Sequence, residues 1–127
     1  MPLEKRIQQG RGGKLLSAVT LKIADMEKSV QFYRDVLGLE VLYGGSSAAF
    51  TSLRIPNCDF PLINLQLGQP ATDWGRMIFH VSDVGAFWAH LKQKGFEPNR
   101  PADASWGERY FHMDDPDGYE LSFARPS

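Results

Sequence analysis

The sequence of 127 residues has little of several features that each mark a class of protein. It has one cysteine, Cys58, so an internal disulfide framework is excluded and a reducing cytoplasm is the expected compartment. Its 14 Lys and Arg against 15 Asp and Glu leave no basic excess, so no nucleic-acid partner is expected. No apolar run approaches the roughly 20 residues of a membrane helix. The opening residues, MPLEKRIQQGRGGK, lack the apolar core of a secretory signal.

What is present is the composition of one ordinary globular domain, with 43% hydrophobic and 23% charged residues. Residues 1–13 are polar and carry three glycines, which predicts a flexible arm. The patterned domain is expected over residues 14–127. Cys58 lies in a loop between two prolines with no neighbouring His, so we interpret it as a free thiol rather than a nucleophile.

One supersecondary unit occurs twice along the chain. VTLKIADMEKSVQFYRDVLGL and MIFHVSDVGAFWAHLKQKGF each contain an alternating strand, a capping aspartate and an amphipathic helix that ends at a glycine. The capping residues are Asp25 and Asp83. Further strands are predicted at residues 40–43, 48–53 and 62–67, and then at 96–99, 109–114 and 119–124. The predicted fold class is therefore α+β, with two βαβββ modules at about 14–70 and 75–127 and helices on one face.

Alternation along the strands predicts a second face that is free of helices. Odd-numbered strand residues are apolar, so even-numbered residues point the other way. A curved surface that mixes polar and apolar groups suits a small molecule, although such residues can also simply face water. We call this surface the polar face; its predicted members are Ala18, Thr20, Lys22, Asn64, Gln66, Arg76, Ile78, His80, Glu120, Ser122 and Ala124.

The repeated unit and the closing DDPDGYELSF, with SWGERYF before it, resemble the glyoxalase, bleomycin-resistance and extradiol-dioxygenase superfamily. The resemblance covers residues 14–127 and implies paired βαβββ modules whose sheets form a half-open cup around a ligand, commonly in a homodimer. It also implies, for enzymatic members, a divalent metal held by a His in the first strand of each module and by Glu on later strands. At those positions this sequence has Ala18, Arg76, Asn64 and Ser122, none of them a normal ligand.

The resemblance and these four substitutions together imply a protein that binds a small molecule in its cup without a metal cofactor. An acidic or neutral ligand is expected, because Lys22 and Arg76 are expected inside the cup near Glu120. Trp106 could stack on the ligand or plug a core or interface, and Arg109 is either a pocket charge or a solvated strand end. The residues expected to bind the ligand are Thr20, Lys22, Asn64, Gln66, Arg76, His80, Trp106, Arg109, Glu120 and Ser122.

Other functions remain open at this point. A metal-dependent lyase or dioxygenase would need a displaced site built from His80, His112 and Glu120. A metal-free enzyme would use His80 as a base beside Arg76, although these positions lie roughly 13 Å apart on one strand. An interaction protein would fill the cup with its own side chains. His90 lies off the apolar stripe of its helix and is expected to face solvent.

Overall fold

A computed structural model describes residues 12–126; most of the predicted arm, residues 1–11, lies outside the described residues, as does Ser127. The first module contains β1 (Ala18–Ile23), α1 (Met26–Gln31) with a π-helical turn (Phe32–Val36), β2 (Glu40–Tyr43), β3 (Phe50–Arg54) and β4 (Leu62–Leu67). The second contains β5 (Arg76–His80), α2 (Val84–Gln93), β6 (Ala102–Ala104), β7 (Glu108–Asp114) and β8 (Glu120–Pro126). Within residues 12–126, neither helix is long and apolar enough to cross a membrane.

The strands form two four-stranded sheets, one from each module. Their orders are β1-β4-β3-β2 and β5-β8-β7-β6. In each sheet the first strand of the module runs parallel to the last, and the remaining neighbours are antiparallel. The register places Thr20 opposite Asn64 in one sheet and Arg76 opposite Glu120 in the other. The predicted fold class, α+β with two βαβββ modules, is confirmed.

Both helices begin at the predicted aspartates. A side-chain oxygen of Asp25 accepts from the Lys28 N–H at 3.1 Å, and one of Asp83 accepts from the Ala86 N–H at 2.9 Å. Each bond satisfies a backbone donor that the first turn of a helix leaves free. The chain leaves the second helix at Gly95, whose φ of +93° is a conformation that glycine adopts without steric cost.

The odd-numbered faces of both sheets and the apolar sides of both helices form one core. Phe123 lies at its centre in the second module, with ring centroids 5.0 Å from Phe87, 5.2 Å from Phe111 and 5.6 Å from Phe79. Burying one such ring contributes roughly 1.5–3 kcal/mol. The largest fully buried side chains come from both modules: Tyr33, Phe111, Phe123, Ile23, Leu53, Leu65, Leu91 and Leu121.

A polar clamp formed by the Asp-Pro-Asp-Gly turn before β8 joins the two modules. Asp115 is 6% exposed, and its Oδ2 accepts from the Tyr33 hydroxyl at 2.6 Å. Its Oδ1 accepts from the backbone N–H groups of Asp117 and Tyr119, both at 2.9 Å. Asp117 in turn accepts from the Ala24 N–H of the first module at 3.0 Å. Burial raises the pKa of Asp115 and raises that of Tyr33 well above its ordinary value.

One predicted strand lies elsewhere. The sequence predicted a strand at residues 96–99, whereas β6 occupies Ala102–Ala104. Pro98 and Pro101 lack the N–H that a regular ladder requires, so regular pairing begins only after them. What remains of the predicted pairing is one bond, from the Asn99 N–H to the His112 carbonyl at 3.0 Å. The other strands begin and end within two residues of their predicted bounds.

The expectation that His90 faces solvent was wrong. Its ring is half-buried between the two helices, stacked on Phe87 with centroids 5.7 Å apart. Its Nε2 lies 3.1 Å from the carbonyl oxygen of Val36, at the end of the π-helical turn. A carbonyl at a helix end lacks an intrahelical partner, so His90 satisfies it.

Candidate functional site

On the first sheet, the polar face carries a row of side chains that are hydrogen-bonded to one another. The register brings Thr20, Asn64 and Ser52 side by side on β1, β4 and β3. The Ser52 hydroxyl donates to Asn64 Oδ1 at 2.6 Å, and Asn64 Nδ2 donates to Thr20 Oγ1 at 3.3 Å. Both ends of the Asn64 amide are therefore engaged within the sheet, and its dipole has a fixed direction.

Lys22 and Gln66 lie opposite each other on the same face, and both are exposed. The methylene groups of Lys22 lie beside Gly68, where an added Cβ would sit 3.4 Å from Lys22 Cδ. None of the ion pairs found in residues 12–126 involves Lys22. Its ammonium group is therefore available to an anionic group of a ligand, and it lies on the other sheet from Glu120.

On the second sheet, three neighbouring strands bring Arg76, Glu120 and His112 together. Arg76 Nε lies 3.4 Å from Glu120 Oε1, and the same oxygen lies 3.8 Å from His112 Nδ1. The register explains the grouping, because Arg76 is directly opposite Glu120 and His112 is directly opposite Ser122, the next polar-face position on β8. We call this group the charged triad, after the ion pair of Arg76 and Glu120.

An aromatic strip runs along β7 toward the charged triad. The rings of Trp106 and Tyr110 are nearly parallel, with centroids 6.4 Å apart, and the Tyr110 and His112 rings follow at 5.1 Å. Trp106 is 73% exposed, so it does not fill a gap in the core of this chain. Its Nε1 donates to Glu108 Oε1 at 3.3 Å, which helps to orient the indole. Trp106 is exposed and the other two rings are half-buried, and aromatic rings at a partly open surface can stack on a planar ligand.

Two of the predicted site residues, His80 and Arg109, are placed apart from these groups, and a third, Ser122, lies beside the charged triad but is nearly buried. His80 lies opposite Ala124, four positions along β5 from Arg76. Arg109 has the parity of the buried Phe111, so it lies on the helix-side face of β7, where it pairs with Asp103 at 3.1 Å. Ser122 is on the polar face but only 4% exposed.

The sequence did not lead us to assign any residue of β3 or β7 to the polar face, and Ser52 and Tyr110 are the examples that matter for the site. Ser52 and Tyr110 are even-numbered residues of β3 and β7, and the alternation that identified the other strands applies to them equally. The hydrogen bond between Tyr33 and Asp115 could not be predicted from alternation, because the two residues are 82 positions apart and only the fold brings them together.

The residues at the four expected ligand positions do not fit a divalent metal. Ala18 offers no donor, and the oxygen of Asn64 already accepts from Ser52. Arg76 brings a permanent positive charge, which repels a cation. The displaced alternative is not assembled either, because in residues 12–126 no three His, Cys, Asp or Glu side chains are grouped to hold a metal ion.

Comparison with known proteins identifies the family of this chain and several solved structures with a similar fold. Residues 15–123 match the sequence model of the Glyoxalase/Bleomycin resistance protein/Dioxygenase superfamily. An integron cassette protein from the mobile metagenome of the Halifax Harbour sewage outfall is 26% identical, with a TM-score of 0.76 over 88% of this chain and 98% of that one. An antibiotic binding protein from Streptomyces sp. CB03234 is 23% identical, with a TM-score of 0.76 over 91% and 98%. A lactoylglutathione lyase from Agrobacterium tumefaciens is 16% identical, with a TM-score of 0.73 over 89% and 94%. The similarity to the last two structures, at 23% and 16% identity, shows a shared fold and nothing more.

Proposed function

Because the chain belongs to the glyoxalase/bleomycin resistance protein/dioxygenase superfamily, we propose that it binds a small neutral or acidic organic molecule in its cup without a bound metal. The observation that carries this proposal is the set of groups found at the expected ligand positions. Asn64 is hydrogen-bonded to Ser52 and Thr20, and Arg76 pairs with Glu120. Such groups recognise a ligand through hydrogen bonds and charge rather than through coordination.

This donor set also bears on the reaction class. Glyoxalase-type isomerisation and ring cleavage use a metal ion as a Lewis acid, and these strands offer no set of ligands to hold one. Binding is therefore the function that the polar face supports best. The antibiotic binding protein with the same fold is in keeping with such a role.

The charge and shape of the polar face favour one class of ligand. Lys22 and the forked donors of Arg76 favour a carboxylate or another acidic group over a basic one. The strip of Trp106, Tyr110 and His112 favours a planar, unsaturated ring system. We therefore propose an aromatic acid or a neutral arene, and we expect strongly basic drugs to bind weakly.

We also propose that two copies of the chain form a homodimer in which a second copy helps to close the cup. Among residues 12–126, no hydrogen bond or ion pair joins the polar-face side chains of one sheet to those of the other. A mostly apolar groove of about 350 Å³ lies between β1, β4 and β5. Trp74 and Ile78 line this groove and are 52% and 64% exposed. Apolar surface of this kind is characteristic of protein interfaces.

Light scattering during size-exclusion chromatography tests the dimer. The wild-type chain should elute with twice the mass of one copy, and Ile78→Glu should shift it toward the monomer. Lys94→Glu, a surface change beyond the end of α2, is the matched control and should leave the mass unchanged. A wild-type monomer at all accessible concentrations would contradict the dimer.

A reducing cytoplasm remains the proposed compartment. The one cysteine, Cys58, is free and exposed, and an exposed thiol stays reduced in the cytoplasm. Fractionation of cells that express the full chain should recover it with the cytoplasmic proteins. Recovery from an oxidising compartment would contradict this assignment.

A thermal-shift screen tests the proposed function. Aromatic carboxylates, neutral arenes and aromatic amines are each added to chelator-treated protein and to protein supplemented with zinc, nickel or iron. A ligand at 100 times its Kd stabilises the fold by about 2.7 kcal/mol, which raises the Tm by several degrees. We expect acids and neutral arenes to give this shift equally with chelator and with metal.

A charge-reversal pair sharpens this test. Lys22→Glu should weaken the shift given by the acids while leaving neutral arenes unchanged, whereas Lys94→Glu should affect neither class. Stabilisation that occurs only in the presence of metal, or only with the amines, would refute the proposed function.

A further inference from the structure

His112 contains the one buried side-chain nitrogen or oxygen atom in residues 12–126 that has no hydrogen-bond partner. That atom is Nδ1, although the His112 side chain as a whole is 25% exposed. A buried polar atom without a partner costs free energy, so it calls for an explanation in a folded protein. A candidate partner is Glu120 Oε1 at 3.8 Å, beyond hydrogen-bond distance but within reach of a small rotation of either side chain.

Glu120 is held in place from its other side. Arg76 Nε approaches the same carboxylate oxygen at 3.4 Å, from the directly opposite residue of β5. The carboxylate thus lies between a guanidinium and an imidazole on three adjacent strands. A carboxylate in this position selects the tautomer of a neighbouring histidine, because it accepts the proton of the nearer ring nitrogen.

We propose that Glu120 fixes His112 with the proton on Nδ1, so that Nε2 accepts a hydrogen bond from a hydroxyl group of the ligand. This inference rests on the proposed function and narrows it to a ligand class, the hydroxyarenes. The aromatic strip supplies the reason for an arene, since Tyr110 lies 5.1 Å from the His112 ring and Trp106 extends the row. A ring stacked on this strip brings its substituents to the charged triad.

The consequence for specificity follows from the cost of an unpaired acceptor. A ligand without the hydroxyl would cover Nε2 and leave it without a donor, which costs roughly 1–3 kcal/mol. A methyl ether should therefore bind about tenfold more weakly than the parent hydroxyarene, or worse. Glu120 acts through His112, so it is a positioning residue.

The first test needs no ligand. Two-bond ¹H–¹⁵N correlation spectra report which ring nitrogen of each histidine carries the proton. We expect the Nδ1–H form for His112 in the wild-type protein and a mixture with the Nε2–H form in Glu120→Gln. His80 and His90 serve as internal references, and Glu27→Gln on the outer surface of α1 is the matched control. A wild-type His112 that carries its proton on Nε2 overturns the proposal.

The second test measures selectivity. Calorimetry compares 2-naphthol with 2-methoxynaphthalene on the wild type, His112→Phe, Glu120→Gln and Glu27→Gln. We expect about tenfold tighter binding of the naphthol to the wild type and to Glu27→Gln, and loss of that preference in the other two variants. Phe at 112 retains a ring beside Tyr110, so both compounds should still bind.

The outcomes separate this proposal from the proposed function. Equal affinity for the two compounds, or a preference that survives in Glu120→Gln, overturns the role of His112 while binding itself stands. Failure of both compounds, while aromatic acids still stabilise the chelator-treated protein, overturns the hydroxyarene class alone. Failure of every organic compound in the presence of chelator overturns the proposed function, and the spectra still decide the tautomer.

Discussion

The Asp115 clamp between the modules is the place where removal of a single carboxyl group should cost the most stability. In Asp115→Ala three donors lose their acceptor: the hydroxyl of Tyr33 and the backbone N–H groups of Asp117 and Tyr119. Loss of a buried partner costs roughly 1–3 kcal/mol per group, and removal of the buried charge returns part of that. We expect a net loss of about 2–4 kcal/mol, a large share of the roughly 5–15 kcal/mol that stabilises a domain.

Asp115→Asn is the matched control, because its amide keeps the shape and the hydrogen bonds. The amide oxygen can accept from the same two backbone donors, and the amide nitrogen can donate to the Tyr33 oxygen. It should lose about 1 kcal/mol or less. Urea unfolding followed by tryptophan fluorescence, at one fixed protein concentration, measures both variants.

The pH dependence gives a second, independent readout. Burial raises the pKa of Asp115, so the folded state holds this proton more tightly than the unfolded chain, in which Asp titrates near 3.9. Stability from this group is complete below about pH 3.9 and is lost as the pH rises through the folded pKa. The unfolding free energy of the wild type, measured relative to Asp115→Asn, should therefore fall as the pH rises above about 4.

Two results would refute the reasoning about the clamp. One is an Asp115→Ala protein whose unfolding free energy lies within about 0.5 kcal/mol of the wild type, the range of an ordinary surface substitution. The other is an unfolding free energy of the wild type that, measured relative to that of Asp115→Asn, increases as the pH rises.

Three further substitutions test other parts of the structure. Asp83→Ala removes the cap from the Ala86 N–H and should cost about 1 kcal/mol by urea unfolding; an unchanged midpoint contradicts the cap. Phe111→Ala opens a cavity beside Phe123 and should cost about 3–5 kcal/mol, so a soluble variant with wild-type stability would contradict the core. Trp106→Ala should change stability by less than about 0.5 kcal/mol yet weaken 2-naphthol several-fold by calorimetry. Equal affinity of the wild type and Trp106→Ala for 2-naphthol would show that Trp106 does not contact the ligand.

The sequence predicts the fold well where local signals agree with one another. Asp25 and Asp83 each combine a capping side chain with the start of an apolar stripe, and both helices begin beside them. The failure at residues 96–99 has a local cause, because Pro98 and Pro101 interrupt an otherwise strand-like run. The prediction for His90 was wrong for a non-local reason, because its partner, the carbonyl of Val36, belongs to the π-helical turn at the end of the other helix.

For the candidate site, alternation along the strands predicts which face a side chain is on and nothing further. Alternation along each strand assigns Asn64, Arg76 and Glu120 to the face that is free of helices, and the structure has them there. It does not state which strands are neighbours or in what register, so the approach of His112 to Glu120 could not be derived.

Calorimetric titration of chelator-treated protein with 2-naphthol, repeated after addition of zinc, nickel or iron, tests most directly whether the cup binds an organic ligand without a metal. We predict saturable binding in the presence of chelator, with an affinity that the metals leave unchanged. Binding that appears only after a metal is added, or a stoichiometric metal that is lost in Glu120→Gln, would contradict a metal-independent cup.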